Sequence, residues 1–185
     1  MRKTALLAAF AASACVLTTS GSASVLVLQK SVGRHCYEAA LGRDASPFAL
    51  RTCDDALSSG LLSRRDEVAT YVNRGVVKLN ARQFDAALAD FDHALALDPE
   101  MAETYLNKGS VFLRAGGNLS DAISMFDRAL AMKIRHPELA YYNRAMAHEA
   151  AGNIEAAYSD YSAARRIAPK WDQPKEELSR FRVGR

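Results

Sequence analysis

The amino-acid sequence predicts an all-α fold built from stacked pairs of helices, and three observations lead to it. The first is a repeat of about 35 residues, in which segments 69–75, 103–109 and 139–145 resemble one another. The second is a small–aromatic–small pattern at positions i, i+4 and i+7, which places three side chains on one helical face. The third is that nothing after residue 23 has a strand pattern. Together they predict a solenoid of helical hairpins.

The composition is that of an ordinary globular protein. The chain has 185 residues, of which 49% are hydrophobic and 24% are charged, so it can bury a core and is not disordered as a whole. Its formal net charge is +3, and it becomes +1 without residues 1–23, because 22 basic residues then face 21 acidic ones. A nearly neutral body has no general attraction for nucleic acid or for anionic membranes.

Residues 1–23 resemble a secretory signal peptide. A basic start precedes an apolar run over residues 5–17, and small polar residues then lead to Ala23. The apolar run of about 13 residues is shorter than the roughly 20 that a membrane-spanning helix needs. We expect cleavage after Ala23 and export to the periplasm or the medium. Two alternatives stay open, an uncleaved membrane anchor and a lipoprotein attached through Cys15, because residues 12–15 resemble a bacterial lipobox.

Residues 24–67 are predicted to form a degenerate first hairpin, with helices at about 31–42 and 47–58. The second helix carries the small–aromatic–small spacing with Cys53 at the aromatic position, and Cys36 lies 17 positions upstream. Removal of the signal peptide leaves these two cysteines as an even pair in an exported protein, where a disulfide is expected. The bond would stabilise the hairpin by about 3 kcal/mol. Two cysteines and one adjacent histidine fall short of the four ligands of a structural zinc site.

Three full repeats follow, which we place at residues 68–101, 102–137 and 138–171. Each has a tyrosine, a glycine or alanine four residues later, a short turn, the small–aromatic–small pattern and a proline. The residues of this pattern are Tyr71, Gly75, Ala87, Phe91, Ala94 and Pro99, then Tyr105, Gly109, Ala122, Phe126, Ala129 and Pro137, then Tyr141, Ala145, Ala157, Tyr161, Ala164 and Pro169.

This pattern resembles that of tetratricopeptide repeats, over about residues 68–171. The resemblance implies a right-handed αα-hairpin solenoid of about three to four tetratricopeptide repeats with a C-terminal capping helix. Residues 172–185 fit that capping helix and a short tail, because Asp172 can cap its start and Pro174 lies in its first turn. A cap is expected because the last repeat would otherwise expose its apolar face.

No motif in the sequence predicts catalysis or a cofactor. The four histidines form no metal-binding motif, no glycine-rich phosphate loop follows a strand, and Arg64 with Arg65 is too small a basic cluster for nucleic acid. Adjacent acidic residues such as Asp54 and Asp55 are interpreted as solvated helix surface. We therefore expect a non-enzymatic protein with no cofactor, no metal, no nucleic acid and no small-molecule substrate. Membrane contact is expected only if Cys15 is lipidated or the signal is uncleaved.

The resemblance also implies a concave groove, lined by the first helix of each repeat, that binds peptides or protein segments. Asn73, Asn107 and Asn143 share one position in these helices, and an asparagine amide can donate to and accept from a peptide backbone. The side chains expected beside them are Val72, Leu106, Tyr142, Val76, Ser110 and Met146. The alternative is that the asparagines bond only locally or to water.

These observations predict a protein-binding scaffold of the cell envelope that holds a peptide or protein segment in its groove. Two alternatives stay open. One is a self-associating structural module whose groove takes a neighbouring copy, and the other is a lipid-anchored envelope assembly factor.

Overall fold

The computed structural model describes residues 33–181, and this part of the chain contains nine helices and no strand. The first, α1, covers residues 33–41. The others are α2 (Pro47–Ser58), α3 (Arg64–Asn80), α4 (Phe84–Leu97), α5 (Ala102–Ala115), α6 (Leu119–Ala131), α7 (Pro137–Ala150), α8 (Ile154–Ile167) and α9 (Asp172–Arg180). The predicted signal peptide, its cleavage site after Ala23 and the lipidation candidate Cys15 lie outside the described residues.

The helices stack in chain order, as the repeat pattern predicts. The most extensive contacts join the two helices of each full repeat, α3 with α4, α5 with α6 and α7 with α8. The second helix of each pair then packs against the first helix of the next pair, from α2 with α3 to α8 with α9. Contacts of α5 with α3 and α7 bring the first helices of the full repeats side by side. The all-α hairpin solenoid and its C-terminal capping helix are confirmed.

Short polar caps and tight turns define the helix ends. Ser46 accepts a hydrogen bond from the backbone N–H of Ala49 at 3.1 Å, and Ser63 accepts one from Asp66 at 3.2 Å. The turn inside each full repeat contains one residue with positive φ at the same repeat position. It is a glycine in the second and third repeats, where that conformation costs little, and an arginine in the first. The three residues are Arg82, Gly116 and Gly152.

An aromatic ring closes each full repeat. In the first repeat the buried ring of Phe91 lies directly on Gly75, where an added Cβ would come within 2.5 Å of the ring. Phe126 lies on Gly109 in the same way in the second repeat. The third repeat has Tyr161 in a cluster that includes Ala145. The small residue on the first helix therefore lets the two helices approach closely around the ring.

A disulfide between Cys36 and Cys53 closes the first hairpin. Both cysteines are fully buried, and they form a cluster with Ala40, Ala49 and Val77. Val77 belongs to α3, so this cluster also attaches the hairpin to the first full repeat. Helix α2 has the predicted bounds.

Helix α9 covers the last repeat. Pro174 is buried, and the half-buried side chains of Leu178 and Phe181 pack against the cluster around Tyr161. The apolar face that the third repeat would otherwise expose is thereby buried. None of the helices between residues 33 and 181 is long and apolar enough to cross a membrane.

Candidate functional site

Helices α3, α5 and α7 line a shallow cavity of about 540 Å³ on the face where the three first helices meet. Five of the nine residues predicted for a peptide groove lie in its wall, and they come from all three helices. These residues are Val76, Asn107, Ser110, Asn143 and Met146. The equivalent positions of successive repeats therefore converge on one surface, as stacking of identical hairpins requires.

The three asparagines differ in what they contact. The amide of Asn143 donates to the hydroxyl of Ser110 at 3.2 Å, and that hydroxyl donates to the carbonyl of Leu106 at 2.9 Å. The residue equivalent to Ser110 in the preceding repeat is Val76, which has no hydroxyl for Asn107 to bond. Among residues 33–181, no side-chain partner bonds the amide of Asn107. Local bonding thus describes Asn143 but not Asn107.

Asn73 does not line this cavity. It lies at a separate concavity of about 480 Å³ between α1 and the N-terminal half of α3, together with Gly33, Tyr37 and Thr70. The degenerate hairpin thus faces Asn73 in the way that a preceding repeat would. The asparagines occupy equivalent positions but do not share one pocket.

Three of the side chains predicted for the groove do not line this cavity. Val72 belongs to the core cluster that contains Phe91, and Leu106 packs half-buried between α6 and α7. Tyr142 packs against Trp171 with the two rings tilted by 49° and their centroids 4.8 Å apart, and it donates a hydrogen bond to Glu177 at 3.3 Å. Burial and the nearby Glu177 carboxylate raise the pKa of Tyr142. The position before each asparagine points about 100° around the helix from it, towards the seam between hairpins instead of the cavity.

Donors dominate the polar groups of the cavity. Arg43 and Arg114 lie in its wall, and no acidic side chain of the described residues lines it. One N–H of Arg114 reaches the carbonyl oxygen of Asn80 at 3.5 Å, and the Asn80 amide nitrogen is buried without a partner in residues 33–181. A ligand with carbonyl or carboxylate oxygens would bond the guanidinium groups of Arg43 and Arg114, whereas the buried Asn80 nitrogen is out of its reach.

Sequence reasoning missed Arg43, Asn80 and Arg114. Two of them carried a usable signal, because Asn80 and Arg114 follow Asn73 and Asn107 by seven residues, two helical turns along the same face. Arg43 carried none, since it lies in the turn of the first hairpin and reaches the cavity through tertiary packing.

A repeated ion pair joins each hairpin to the next. The residue after the aromatic position is an aspartate, and the residue before the small position of the following repeat is a basic side chain. The pairs are Asp54–Arg74 at 2.7 Å, Asp92–Lys108, and Asp127–Arg144 at 2.5 Å. The Asp54 side chain is 57% exposed, as expected of solvated helix surface, and its carboxylate also bonds Arg74 of α3.

In the first and third repeats the same arginine is also held within its own hairpin. Arg74 donates two hydrogen bonds to Asp90, and Arg144 donates two to Asp160, over 2.6–2.9 Å. Both carboxylates are nearly buried. Hydrogen bonds to Asp160 raise the pKa of Arg144 further, which keeps the guanidinium charged. Two-pronged bonding fixes the side chain in one orientation and thereby fixes how the hairpins sit against each other.

The second repeat lacks this inner pair. Met125 stands where the other repeats have Asp90 and Asp160, and the basic residue is Lys108 instead of arginine. Lys108 bonds Asp92 through its single ammonium nitrogen and cannot form the bidentate contact of an arginine. No group of three or more His, Cys, Asp or Glu side chains in the described part of the chain could hold a metal ion.

Comparison with known proteins supports this architecture. A family model described as tetratricopeptide repeat matches residues 72–133 and 113–170. The fold resembles PilW, a widely conserved type IV pilus biogenesis factor, with TM-score 0.72, 21% identity, and 83% of this chain and 68% of that chain covered. It also resembles MamA from Desulfovibrio magneticus RS-1, with TM-score 0.65, 19% identity and 81% of each chain covered.

A third similar structure is the Arabidopsis OM64 TPR domain, with TM-score 0.59, 19% identity, and 64% of this chain and 96% of that chain covered. At these identities the structures share the fold alone. No curated protein matches the sequence.

Proposed function

The chain belongs to the tetratricopeptide repeat family, and on that premise we propose that it is a scaffold whose cavity between α3, α5 and α7 binds an extended segment of a partner protein. The family fold is typical of protein–protein interaction scaffolds. The observation that supports the proposal most is that Asn107, whose amide has no side-chain partner among residues 33–181, lies beside Arg114 in the wall of the cavity.

An extended peptide supplies what these groups lack. Its main chain carries unpaired carbonyl and N–H groups, and the Asn107 amide can bond one of each. Val76, Leu113 and Met146 provide apolar contact in the same cavity. Arg43 and Arg114 favour a segment with a carboxylate among its side chains.

We place this function in the cell envelope. The buried Cys36–Cys53 disulfide supports export, because disulfides persist in oxidising compartments. The signal-like residues 1–23 support it independently, with lipidation at Cys15 as the variant that would anchor the protein to a membrane. The likeness to a pilus biogenesis factor is compatible with a role in envelope assembly.

A self-associating module is the second candidate, and one observation favours it. Tyr37, Leu41 and Phe48 on the first hairpin are 52%, 70% and 66% exposed. Three large apolar side chains on two adjoining helices form a surface that a second copy could cover. Sedimentation over a concentration series, with Phe48→Ser as the test variant, distinguishes this candidate from a monomeric scaffold.

Site-specific photocrosslinking tests the scaffold directly. A photoreactive residue at Met146, which lines the cavity and is 39% exposed, is compared with the same residue at the exposed Ala131 on α6. The mature protein from Ser24 carries the probe in its source envelope, and mass spectrometry identifies the crosslinked segment. We expect one segment to be captured from position 146 and not from position 131.

The captured segment is then synthesised and titrated against purified protein. We expect Asn107→Ala with Arg114→Ala to weaken binding at least tenfold, and Gln173→Ala with Arg135→Ala, which alters exposed residues outside the cavity, to leave it unchanged. Circular dichroism must show equal helicity in all variants. Equal affinity in both double variants would contradict the cavity as the binding site.

A further inference from the structure

A second concavity, of about 720 Å³, lies at the C-terminal end of the solenoid between α8 and α9. It shares no lining residue with the cavity of the first helices. Its wall includes three basic and three large apolar side chains beside Pro169 and two serines. These six side chains define what we call the basic groove: Arg165, Arg166, Lys175, Tyr158, Leu178 and Phe181.

The described residues that line the basic groove carry positive charge without a carboxylate among them. Within residues 33–181 neither Arg165, Arg166 nor Lys175 forms an ion pair. The basic residues at the hairpin junctions, by contrast, are each bonded to aspartates. Arg165 and Arg166 lie in the last turn of α8, where their charge favours the helix C-terminus, and no carboxylate of the described residues neutralises them.

The charge of the chain is concentrated at this end. From residue 165 onward there are seven basic and three acidic residues, so this segment carries +4. The remaining 15 basic and 18 acidic residues after residue 23 give −3. Among the described residues, 165–181 contain five basic and three acidic residues, whereas 33–164 contain 14 basic and 18 acidic ones. The described C-terminal end is therefore the more positive one, and such a field steers an oppositely charged partner to it.

The floor of the basic groove is apolar and held in place. Tyr158 is 44% exposed, and its ring meets Phe181 edge-on with centroids 5.8 Å apart. Phe181 in turn packs edge-on against the buried Tyr161 at 5.9 Å. Partly exposed aromatic rings that are fixed by packing lose little entropy on binding, and they favour an apolar partner side chain.

We propose that the basic groove docks an acidic segment of a partner protein that carries an aliphatic or aromatic side chain. The carboxylates bond Arg165, Arg166 and Lys175 at the rim, while the apolar side chain lies on Tyr158 and Leu178. The shape favours a polypeptide over a membrane, because the groove is a furrow between two helices and a flat lipid surface cannot reach its floor. The inference is independent of the function proposed for the other cavity.

Fluorescence anisotropy with defined peptides tests the proposal on the mature chain. The probe is a labelled 12-residue peptide of alternating glutamate and leucine or phenylalanine, and the control probe has glutamine for every glutamate. We expect the acidic peptide to bind at least tenfold more tightly than the glutamine peptide. We expect raising NaCl from 50 to 300 mM to weaken that binding severalfold.

Charge reversal locates the binding. The groove variant is Arg165→Glu, Arg166→Glu and Lys175→Glu, and the matched control is Arg51→Glu, Arg65→Glu and Arg135→Glu, which are exposed and outside the groove. We expect the groove variant to weaken binding at least tenfold and the control less than threefold. Equal losses in the two variants would overturn the proposal, because attraction would then follow net charge alone.

Vesicles of phosphatidylglycerol and phosphatidylcholine test whether the basic groove binds a membrane surface instead of a peptide. Sedimentation of the protein with these vesicles, lost in the groove variant, together with no binding of the acidic peptide, would overturn the proposal in favour of a membrane surface. Binding of neither probe would also overturn it. Tyr158→Ala should weaken the leucine and phenylalanine peptide but not a peptide of glutamate and glycine.

Discussion

In the full repeats a buried aromatic ring fills the space between two helices, as Phe126 does against Gly109. In the first hairpin the Cys36–Cys53 disulfide holds the two helices at the corresponding place, and the ring is missing. Both arrangements bury the contact completely. A covalent bond has taken over from packing, which suits a terminal hairpin whose outer face has no neighbour to support it.

The ion pair that joins one hairpin to the next, by contrast, is the same in the first hairpin and in the full repeats. Asp54 follows Cys53 and bonds Arg74, as Asp127 follows Phe126 and bonds Arg144. The first hairpin therefore docks onto the solenoid like any repeat, although it closes differently. A contact within one hairpin can change without affecting the other hairpins. A contact between two hairpins needs a complementary side chain on each of them.

The largest effect is expected from removing an aromatic ring. Phe126→Ala should lower the free energy of unfolding by about 4 kcal/mol, because it deletes a fully buried side chain and leaves a cavity beside Gly109. Phe48→Ala, on the exposed side of α2, should change it by less than about 0.5 kcal/mol. Urea denaturation measures both, and a loss below 1 kcal/mol for Phe126→Ala would disprove the role of the ring.

A smaller effect should separate the two kinds of ion pair. Asp160→Asn leaves the guanidinium of Arg144 without its inner partner, and breaking such a nearly buried pair costs about 3 kcal/mol. Asp92→Asn breaks the ion pair with Lys108. Because the Asp92 carboxylate is largely exposed, this variant should lose less than about 1 kcal/mol of unfolding free energy. Chemical denaturation of the two variants checks this ranking. Similar losses would mean that the inner pair adds nothing.

The smallest effect concerns alkaline pH. Burial and a hydrogen bond to Glu149 raise the pKa of Tyr161 above its usual value of about 10, so folding favours the neutral phenol. This stabilisation is complete below pH 10 and is lost as the pH rises towards the higher pKa of the folded state. The difference in unfolding free energy between wild type and Tyr161→Phe should therefore narrow from pH 9 to 11. A constant difference would contradict this assignment.

Local patterns predicted the fold because hairpins of this kind are built from contacts close in sequence. The bounds of α2 follow from the spacing around Cys53, whereas the contact of Phe91 with Gly75 is visible only in the structure. The cavity was predictable only in part. Val72 is predicted to line the groove beside Asn73. One position along a helix corresponds to a rotation of about 100°, and this rotation turns the Val72 side chain into the core.

The ion pairs and the wall of the cavity depend on how successive hairpins are rotated relative to one another. No local sequence pattern contains that information, so neither could be predicted. The alternation of Arg74, Lys108 and Arg144 before the small residue is visible in the sequence, but its aspartate partners lie on the preceding hairpin. Arg43 reaches the cavity because the first hairpin is docked on α3, through the Asp54–Arg74 pair and the buried cluster with Val77.

Hydrogen exchange tests the central claim, that the disulfide replaces the aromatic contact only within the first hairpin. The oxidised mature protein is compared with the double variant Cys36→Ala, Cys53→Ala, and amide protection is read helix by helix. The account predicts faster exchange in residues 33–58, by an amount that corresponds to about 3 kcal/mol, and unchanged exchange in α5 to α9. Faster exchange along the whole solenoid, or none in the first hairpin, would contradict it.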